Sequence, residues 1–181
     1  TSVPVASAAA TSAPQVATSK QGGELRIGMT AADIPLTDIQ ADQGFEGWRF
    51  VGFQLNNGLT TWDWNGETIP GPAPGLAESW EIDPNNPLRW IFHLRDGLKF
   101  HDGTDIDAGA VVQSSHRLFN EDHPSYSAKV AGLGNWIWSG SCCAADSFKA
   151  LDSRTVELTT TEVNGFVPYG MVSVHVVSPK A

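Results

Sequence analysis

A strict alternation of side chains in residues 89–95, RWIFHLR, constrains the fold of this chain more than any other feature. In an extended strand, Trp90, Phe92 and Leu94 lie on one face, and the intervening side chains lie on the other. Burying each large apolar side chain contributes roughly 1.5–3 kcal/mol, so a one-residue slip of this strand would be costly. The pattern therefore predicts a strand of fixed register with one face in the core.

Further strands are predicted on both sides of this segment, separated by turn-forming clusters such as Asp83–Pro87. The predicted strands are Glu24–Gly28, Leu59–Trp64, Ser79–Ile82, Leu98–His101, Phe148–Leu151 paired with Thr155–Thr159, and Val172–Ser178. A Pro- and Gly-rich loop is expected over Pro70–Gly75, and Phe50–Leu55 fits a helix or a strand.

One longer helix is predicted after Asp107, whose carboxylate suits an N-cap. Val111, Ser114, Ser115 and Leu118 recur at helical spacing on one face, and the helix should end by Asn120. Shorter helical turns are expected at Ser125–Ala131 and Phe166–Met171. Strands mixed with a helix predict an α/β (α+β mixed) class.

Composition excludes several functional classes. The 181 residues carry 11 Lys and Arg against 20 Asp and Glu, a formal net charge of −9. Nucleic-acid binding requires clustered basic side chains, so no nucleic-acid partner is expected. No apolar run reaches the roughly 18 residues that a membrane-spanning helix needs. The histidines have no metal-ligand spacing, and neither a metal nor a cofactor is expected.

Residues 1–21 form a separate block of Thr, Ser, Ala, Val and Pro, with Lys20 as the only charge. Such small side chains bury too little surface to offset ordering entropy, so a disordered tail is expected. Ala6-Ser7-Ala8 is similar to the end of a secretory signal, although no basic start or long apolar core precedes it. The alternatives are the remnant of an exported leader, a tether beyond a lipidated cysteine, or a floppy terminus.

Several spaced motifs resemble one known family, the family 5 extracellular solute-binding proteins. These are the peptide-, dipeptide- and nickel-binding components of ABC importers. The main motif is Pro74–Glu81 followed by Trp90–Thr104, and it continues through Ala108–Val112 and Arg117. The segments Gly22–Gly28, Leu151–Leu158 and Val177–Lys180 also fit, so the resemblance covers about residues 22–181. Asp105, Asp107, Gly109 and Ala110 depart from the family pattern, which affects local helix stability more than membership.

The resemblance implies a periplasmic binding protein-like, type II two-lobed fold. Family members are much longer than this chain, which corresponds to part of lobe one and its inserted smaller domain. The expected organisation is a tail over 1–21, the first part of lobe one over 22–58, an inserted β-rich domain over 59–165, and a return into lobe one over 166–181. The protein is expected to be exported, periplasmic or extracytoplasmic, and monomeric when full length.

The function that the resemblance implies is the substrate-binding component of an ABC importer. It would capture an oligopeptide, a dipeptide or a similar small solute and deliver it to a membrane permease, without catalysis. A ligand sensor or adaptor that signals to another membrane partner is the first alternative. A hydrolase is the second, suggested only by His101-Asp102 and scattered serines; a tight turn before the helix is the favoured interpretation of that pair.

Ligand contacts are expected from two regions, by resemblance to lobe one of the family. The loop Gly44-Phe45-Glu46-Gly47-Trp48 is the first, and Tyr126 with nearby Trp136 and Trp138 is the second. Trp and Tyr offer large rigid apolar faces with one polar group, although ordinary packing is the alternative role of each. For the adjacent Cys142 and Cys143, a vicinal disulfide, pairing with cysteines elsewhere and two free thiols all remain open.

Overall fold

A computed structural model describes residues 22–24, 26, 28, 52–65, 69–126, 142–144 and 146–180. The helices are α1 (Phe53–Leu55), α2 (Ala108–Phe119) and α3 (Val167–Gly170). The strands are β1 (Thr60–Trp62), β2 (Pro72–Pro74), β3 (Ala77–Asp83), β4 (Asn86–Leu94), β5 (Phe148–Ala150) and β6 (Thr155–Thr159).

The larger of two sheets has four antiparallel strands in the order β3-β4-β6-β5. Its register pairs Trp90 with Leu158 and Phe92 with Val156. Trp90, Phe92 and Leu94 are all buried in the core, as their alternation predicts. The local pattern was sufficient here because a slip of one residue would have moved these side chains to the opposite face.

Helix α2 packs its apolar face on β5 and β6. The Asp107 carboxylate accepts a hydrogen bond of 2.8 Å from the Ala110 amide, and Asn120 ends the helix. Val111 and Leu118 are buried in the core cluster. The predicted start, buried face and end of this helix are all confirmed.

The smaller sheet pairs β1 with β2 in antiparallel register, with Thr61 opposite Ala73. The prediction of a loop over Pro70–Gly75 was therefore wrong at Pro72–Pro74. Pro72 and Pro74 are tolerated because β2 pairs only with β1 in the described ranges. Not every residue of such a strand has to donate a backbone hydrogen bond. A strand forms within the predicted segment Leu59–Trp64, but it covers only Thr60–Trp62, and the predicted alternation fails because Leu59 and Thr60 are both buried while Trp64 is exposed. The described part of Phe50–Leu55 contains helix α1 rather than a strand.

Two other predicted strands are absent. Leu98–His101 contributes only an isolated bridge between Lys99 and Asp105. Val172–Ser178 is largely buried but forms no strand, since no strand of the described ranges lies beside it. Ser114 on α2 bonds the Val177 backbone instead, accepting from its amide at 3.0 Å.

The predicted strand at Glu24–Gly28 is not formed at the three positions of it that the structure describes, Glu24, Arg26 and Gly28. The predicted tail over 1–21 and most of the short helix predicted at Ser125–Ala131 lie outside the described residues. Within the described ranges, no helix is both long and apolar enough to cross a bilayer.

The cap of α2 gives a direct stability test. Replacing Asp107 with Ala should lower the free energy of unfolding by about 1 kcal/mol, because the Ala110 amide loses its acceptor. Chemical denaturation measures this change. Asp107→Ser is the matched control, since its hydroxyl can still cap; equal destabilisation by both substitutions would contradict the capping role.

Candidate functional site

A cavity of about 320 Å³ lies beside β1 in the described part of the chain. We call it the β1 groove. It is bordered by α1, the turn before β1, β1 itself and the segment after α3. The lining residues are Phe53, Gln54, Asn56, Asn57, Gly58, Thr60, Thr61, Trp62, Trp64 and Val172.

The floor of the groove depends on the absence of a side chain at Gly58. A methyl group at this position would overlap the carbonyl oxygen of Met171 and lie 2.9 Å from that of Val172. Gly75 makes a similar close approach on the other side, where a methyl would lie 2.8 Å from the Gly58 carbonyl oxygen. Three backbone segments therefore meet at Gly58 in direct contact.

Hydrogen bonds hold the same segments together. The Gly58 carbonyl accepts from the Leu76 amide at 3.1 Å, and the Asn57 carbonyl accepts from the Val176 amide at 3.0 Å. The buried Thr60 hydroxyl donates to the Pro168 carbonyl at 2.6 Å. The backbone of the groove is thus fixed from both sides before any ligand arrives.

An aromatic row lies beside the β1 groove, and two of its four members, Trp62 and Trp64, line the cavity. It consists of Trp64, Trp62, Tyr169 and Phe166, in that spatial order. The ring centroids of successive members lie 6.4, 6.0 and 5.7 Å apart. Trp64 is 73% exposed and Phe166 is 71% exposed, so the row presents a large apolar surface to solvent.

Among the described residues that line the β1 groove, none has an ionisable side chain. Its polar groups are the amides of Gln54, Asn56 and Asn57 and the hydroxyls of Thr60 and Thr61. Such groups can donate and accept hydrogen bonds without requiring a charged partner. The groove is therefore suited to neutral hydrogen-bonding groups and apolar surface.

Strand β1 also presents a backbone edge. Leu59 accepts from Gly75 and Asp63 donates to Gly71, so alternate residues face β2. The intervening residues, Thr60 and Trp62, direct their backbone groups away from β2. In the described ranges β1 has no second strand neighbour. Thr60 is 1% exposed, so Trp62 is the position of this edge that an extended chain could reach.

A buried histidine supports the groove from below. The His175 ring packs against Gly52, where a methyl group would lie 2.6 Å from its Cε1 atom, and meets the Phe53 ring edge-on at 5.4 Å. Burial disfavours the charged imidazolium and lowers the pKa of His175 to about 4. His175 is therefore a neutral packing residue at neutral pH.

Most of the predicted ligand-contact residues lie outside the described residues: Gly44, Phe45, Glu46, Gly47, Trp48, Trp136 and Trp138. Tyr126 is described; it is half-buried, and its amide donates to the His123 carbonyl at 2.9 Å. Tyr126 is not among the residues that line the β1 groove. The ligand roles of all eight stay predictions.

Sequence reasoning did not propose Trp62, Trp64 or the Asn56-Asn57-Gly58 turn as site residues. The available signal was the pair of tryptophans in a short alternating strand directly after a Gly-containing turn. Alternation placed both rings on one face but did not show whether that face was in the core or beside a cavity.

The pair His101-Asp102 forms a turn, as the favoured interpretation predicted. Asp102 accepts from the Thr104 amide at 2.8 Å and from the Ser178 hydroxyl at 2.7 Å. These bonds, that of Ser178 first, lower the pKa of Asp102 to about 2. Its carboxylate thus anchors the segment after α3 and is poorly suited to act as a base.

No group of three or more potential metal ligands occurs in the part of the chain that the structure describes. Of the alternatives for the two cysteines, the structure has the vicinal disulfide between Cys142 and Cys143.

Comparison with known proteins places these features in a family context. Residues 71–180 match the family described as bacterial extracellular solute-binding proteins, family 5 Middle. The periplasmic oligopeptide-binding protein OppA of Salmonella typhimurium is 38% identical over 105 residues, covering 54% of this chain and 18% of OppA. The chain spans about a fifth of the length of the curated relatives it matches.

Solved structures agree with this match. The Haemophilus influenzae OppA complex with the peptide RPPGFSPFR has a TM-score of 0.57 and 26% identity, over 72% of this chain and 26% of that one. Listeria monocytogenes OppA bound to peptide has a TM-score of 0.63 at 24% identity, over 83% of this chain and 30% of that one. The mixed α/β fold therefore matches part of OppA-type binding-protein structures.

The close packing at Gly58 predicts a sharp response to one methyl group. Gly58→Ala should lower the free energy of unfolding by about 3 kcal/mol, because backbone carbonyls rather than flexible side chains occupy the space. Thermal or denaturant unfolding measures the loss. Gly71→Ala, where nothing lies within 4 Å of the added methyl, is the matched control and should change stability by less than about 0.5 kcal/mol.

The burial of His175 predicts a pH dependence of stability. Its folded pKa of about 4 lies below the ordinary value of 6.5, so below pH 6.5 the unfolded chain binds the extra proton first. Stability should be constant above that pH and fall by roughly 3 kcal/mol as the pH drops from 6.5 to 4. Melting curves across this range, compared with those of His175→Gln, isolate the effect. If stability fell equally steeply with pH in both proteins, this role of His175 would be contradicted. Asp102, whose pKa is also lowered, titrates in the folded protein below this pH range.

Proposed function

This chain belongs to the family 5 bacterial extracellular solute-binding proteins, and we propose that it forms part of the substrate-binding component of an ABC importer. Proteins of this family are binding proteins and not enzymes. The proposed cargo is a peptide or a similar small solute, captured outside the cytoplasmic membrane and delivered to a permease.

The observation that carries this proposal is a groove whose described lining is uncharged, beside a strand with no second strand neighbour in the described ranges. Peptide main chains offer paired N–H and C=O groups, which an unpaired strand edge and amide side chains can satisfy. The β1 groove supplies the first at Trp62 and the second at Asn56-Asn57. The relatives support this choice of cargo, since OppA is named as oligopeptide-binding and a Pseudomonas aeruginosa relative as di/tripeptide-binding.

We further propose that the chain corresponds to part of lobe one of a type II, two-lobed binding protein. In this proposal residues 22–58 begin lobe one, 59–165 form the inserted domain and 166–181 return to lobe one. The β1 groove would then be one wall of a ligand site that a second lobe closes. Hinge closure around the ligand would present a loaded, compact shape to the permease.

Location and partners follow from the same proposal. The OppA relatives are named as periplasmic proteins, and an exported protein with a short Ala/Ser/Thr/Pro tail fits such a compartment. The expected partners are the small solute and the membrane permease, with the full-length protein acting as a monomer. The loop 44–48, Tyr126, Trp136 and Trp138 remain proposed ligand contacts.

Ligand-dependent stabilisation tests the proposed function. The full natural polypeptide that carries this sequence should melt at a higher temperature with short peptides, since a ligand at 100 times its Kd adds about 2.7 kcal/mol of stability. Differential scanning calorimetry with di- to pentapeptides, sugars and metal chelates measures the shift. No shift with any member of this panel would contradict a solute-binding role.

A blocking variant links that binding to the β1 groove. Thr61→Arg places a long charged side chain in the neutral lining and should abolish the peptide-dependent rise in melting temperature. Ser79→Arg changes an equally exposed strand residue of the other sheet and is the matched control. Loss of peptide uptake on deletion of the gene would support an importer, whereas binding without any transport defect would indicate a sensor.

A further inference from the structure

The aromatic row gives the β1 groove a surface on which a flat apolar group can stack. Trp62 is half-buried and stands between Trp64 at 6.4 Å and Tyr169 at 6.0 Å, so neighbouring rings limit its movement. Trp64 ends the row and exposes most of its indole beside the cavity that it lines. An indole face at the edge of a cavity is suited to stacking on a flat apolar group.

The nearest acidic residue in sequence to the two tryptophans, Asp63, does not contribute a charge to the groove lining. Asp63 lies between the two tryptophans in sequence, but its carboxylate accepts from the Asn65 amide at 3.0 Å and does not line the groove. The lining residues that the structure describes carry neither a cation nor an anion that could pair with a charged ligand group. A charged side chain placed there would lose hydration without a compensating partner.

The same groove is also lined by polar residues. Asn56, Asn57 and Gln54 approach the cavity from the turn and from α1, whereas the rings of Trp62 and Trp64 approach from β1. The wall therefore combines hydrogen-bonding amides with a stacking surface. This combination fits a ligand whose main chain is polar and whose side chain is an uncharged ring.

We propose that the β1 groove selects peptides carrying an uncharged ring-bearing side chain, Phe, Tyr, Trp or Pro, at the position that stacks on Trp64 and Trp62. This inference rests on the proposed peptide-binding function and specifies its ligand class. Trp64 is the specificity-determining residue, Trp62 is the ring that positions it, and the amides recognise the main chain.

A set of tetrapeptides tests the selection in the full natural polypeptide. Tetraalanine is the reference, and one residue at a time is changed to Phe, Pro, Asp or Lys; isothermal titration calorimetry gives each Kd. At one position Phe should bind about tenfold more tightly than Ala, as expected for an added aromatic contact, and Asp should bind more weakly. Trp64→Ala should reduce the preference for Phe to within about twofold, whereas Trp64→Phe should retain most of it.

Leu151→Ala is the control variant, because it removes an exposed apolar side chain on the connection between β5 and β6, away from the groove. It should leave the preference for Phe unchanged. Equal affinities for Ala, Phe, Asp and Lys peptides, or tightest binding of Lys peptides, would overturn the inference and leave the proposed function standing. Binding of no tetrapeptide at all would overturn the proposed peptide-binding function together with this inference.

Discussion

The close approach of three backbone segments at Gly58 is the constraint on which the groove depends. A side chain there would separate the turn before β1 from the carbonyls of Met171 and Val172. That separation would also break the bonds that Asn57 and Thr60 make with the α3 region. Since both residues line the cavity, the ligand wall and the packing of the segment after α3 form one structural unit.

The same segment connects the groove to the rest of the core. Val174 and Val176 enter the hydrophobic cluster built by the four-stranded sheet and α2, and Ser114 on α2 bonds the Val177 backbone. His175, between them, packs under α1 in its neutral form. The segment after α3 has no regular secondary structure, yet it packs against both the core of the large sheet and the groove. Loss of packing in that core would therefore also destabilise the groove. A binding wall that is rigid before the ligand arrives loses less entropy on binding.

The elements that sequence reasoning predicted well are those whose signal is local. The alternation at 89–95 specifies its own period and buried face, and the structure confirms these, although β4 begins earlier, at Asn86. The capped amphipathic pattern after Asp107 specifies its start, face and end, and all three are confirmed. The predictions were wrong where hydrogen bonding to a distant segment decides whether the chain forms a strand. Pro72–Pro74 is a strand only because β1 lies beside it, and Val172–Ser178 is not a strand because side-chain and backbone bonds from other elements replace a ladder. Neither partner is visible in the local pattern.

The sequence by itself determined the buried face of the central strand, the limits of the long helix, the acidic net charge, and the motifs of the solute-binding family. The strand and helix properties depend on hydrophobic periodicity and helix capping, which involve residues close together in the sequence. Tertiary structure alone decided that Trp62 and Trp64 border a cavity and that Gly58 must lack a side chain. Residues 58 and 171 are far apart in the chain, so only the folded arrangement brings their backbones into contact. A single sequence specifies which side chains share a face, but not what that face will meet.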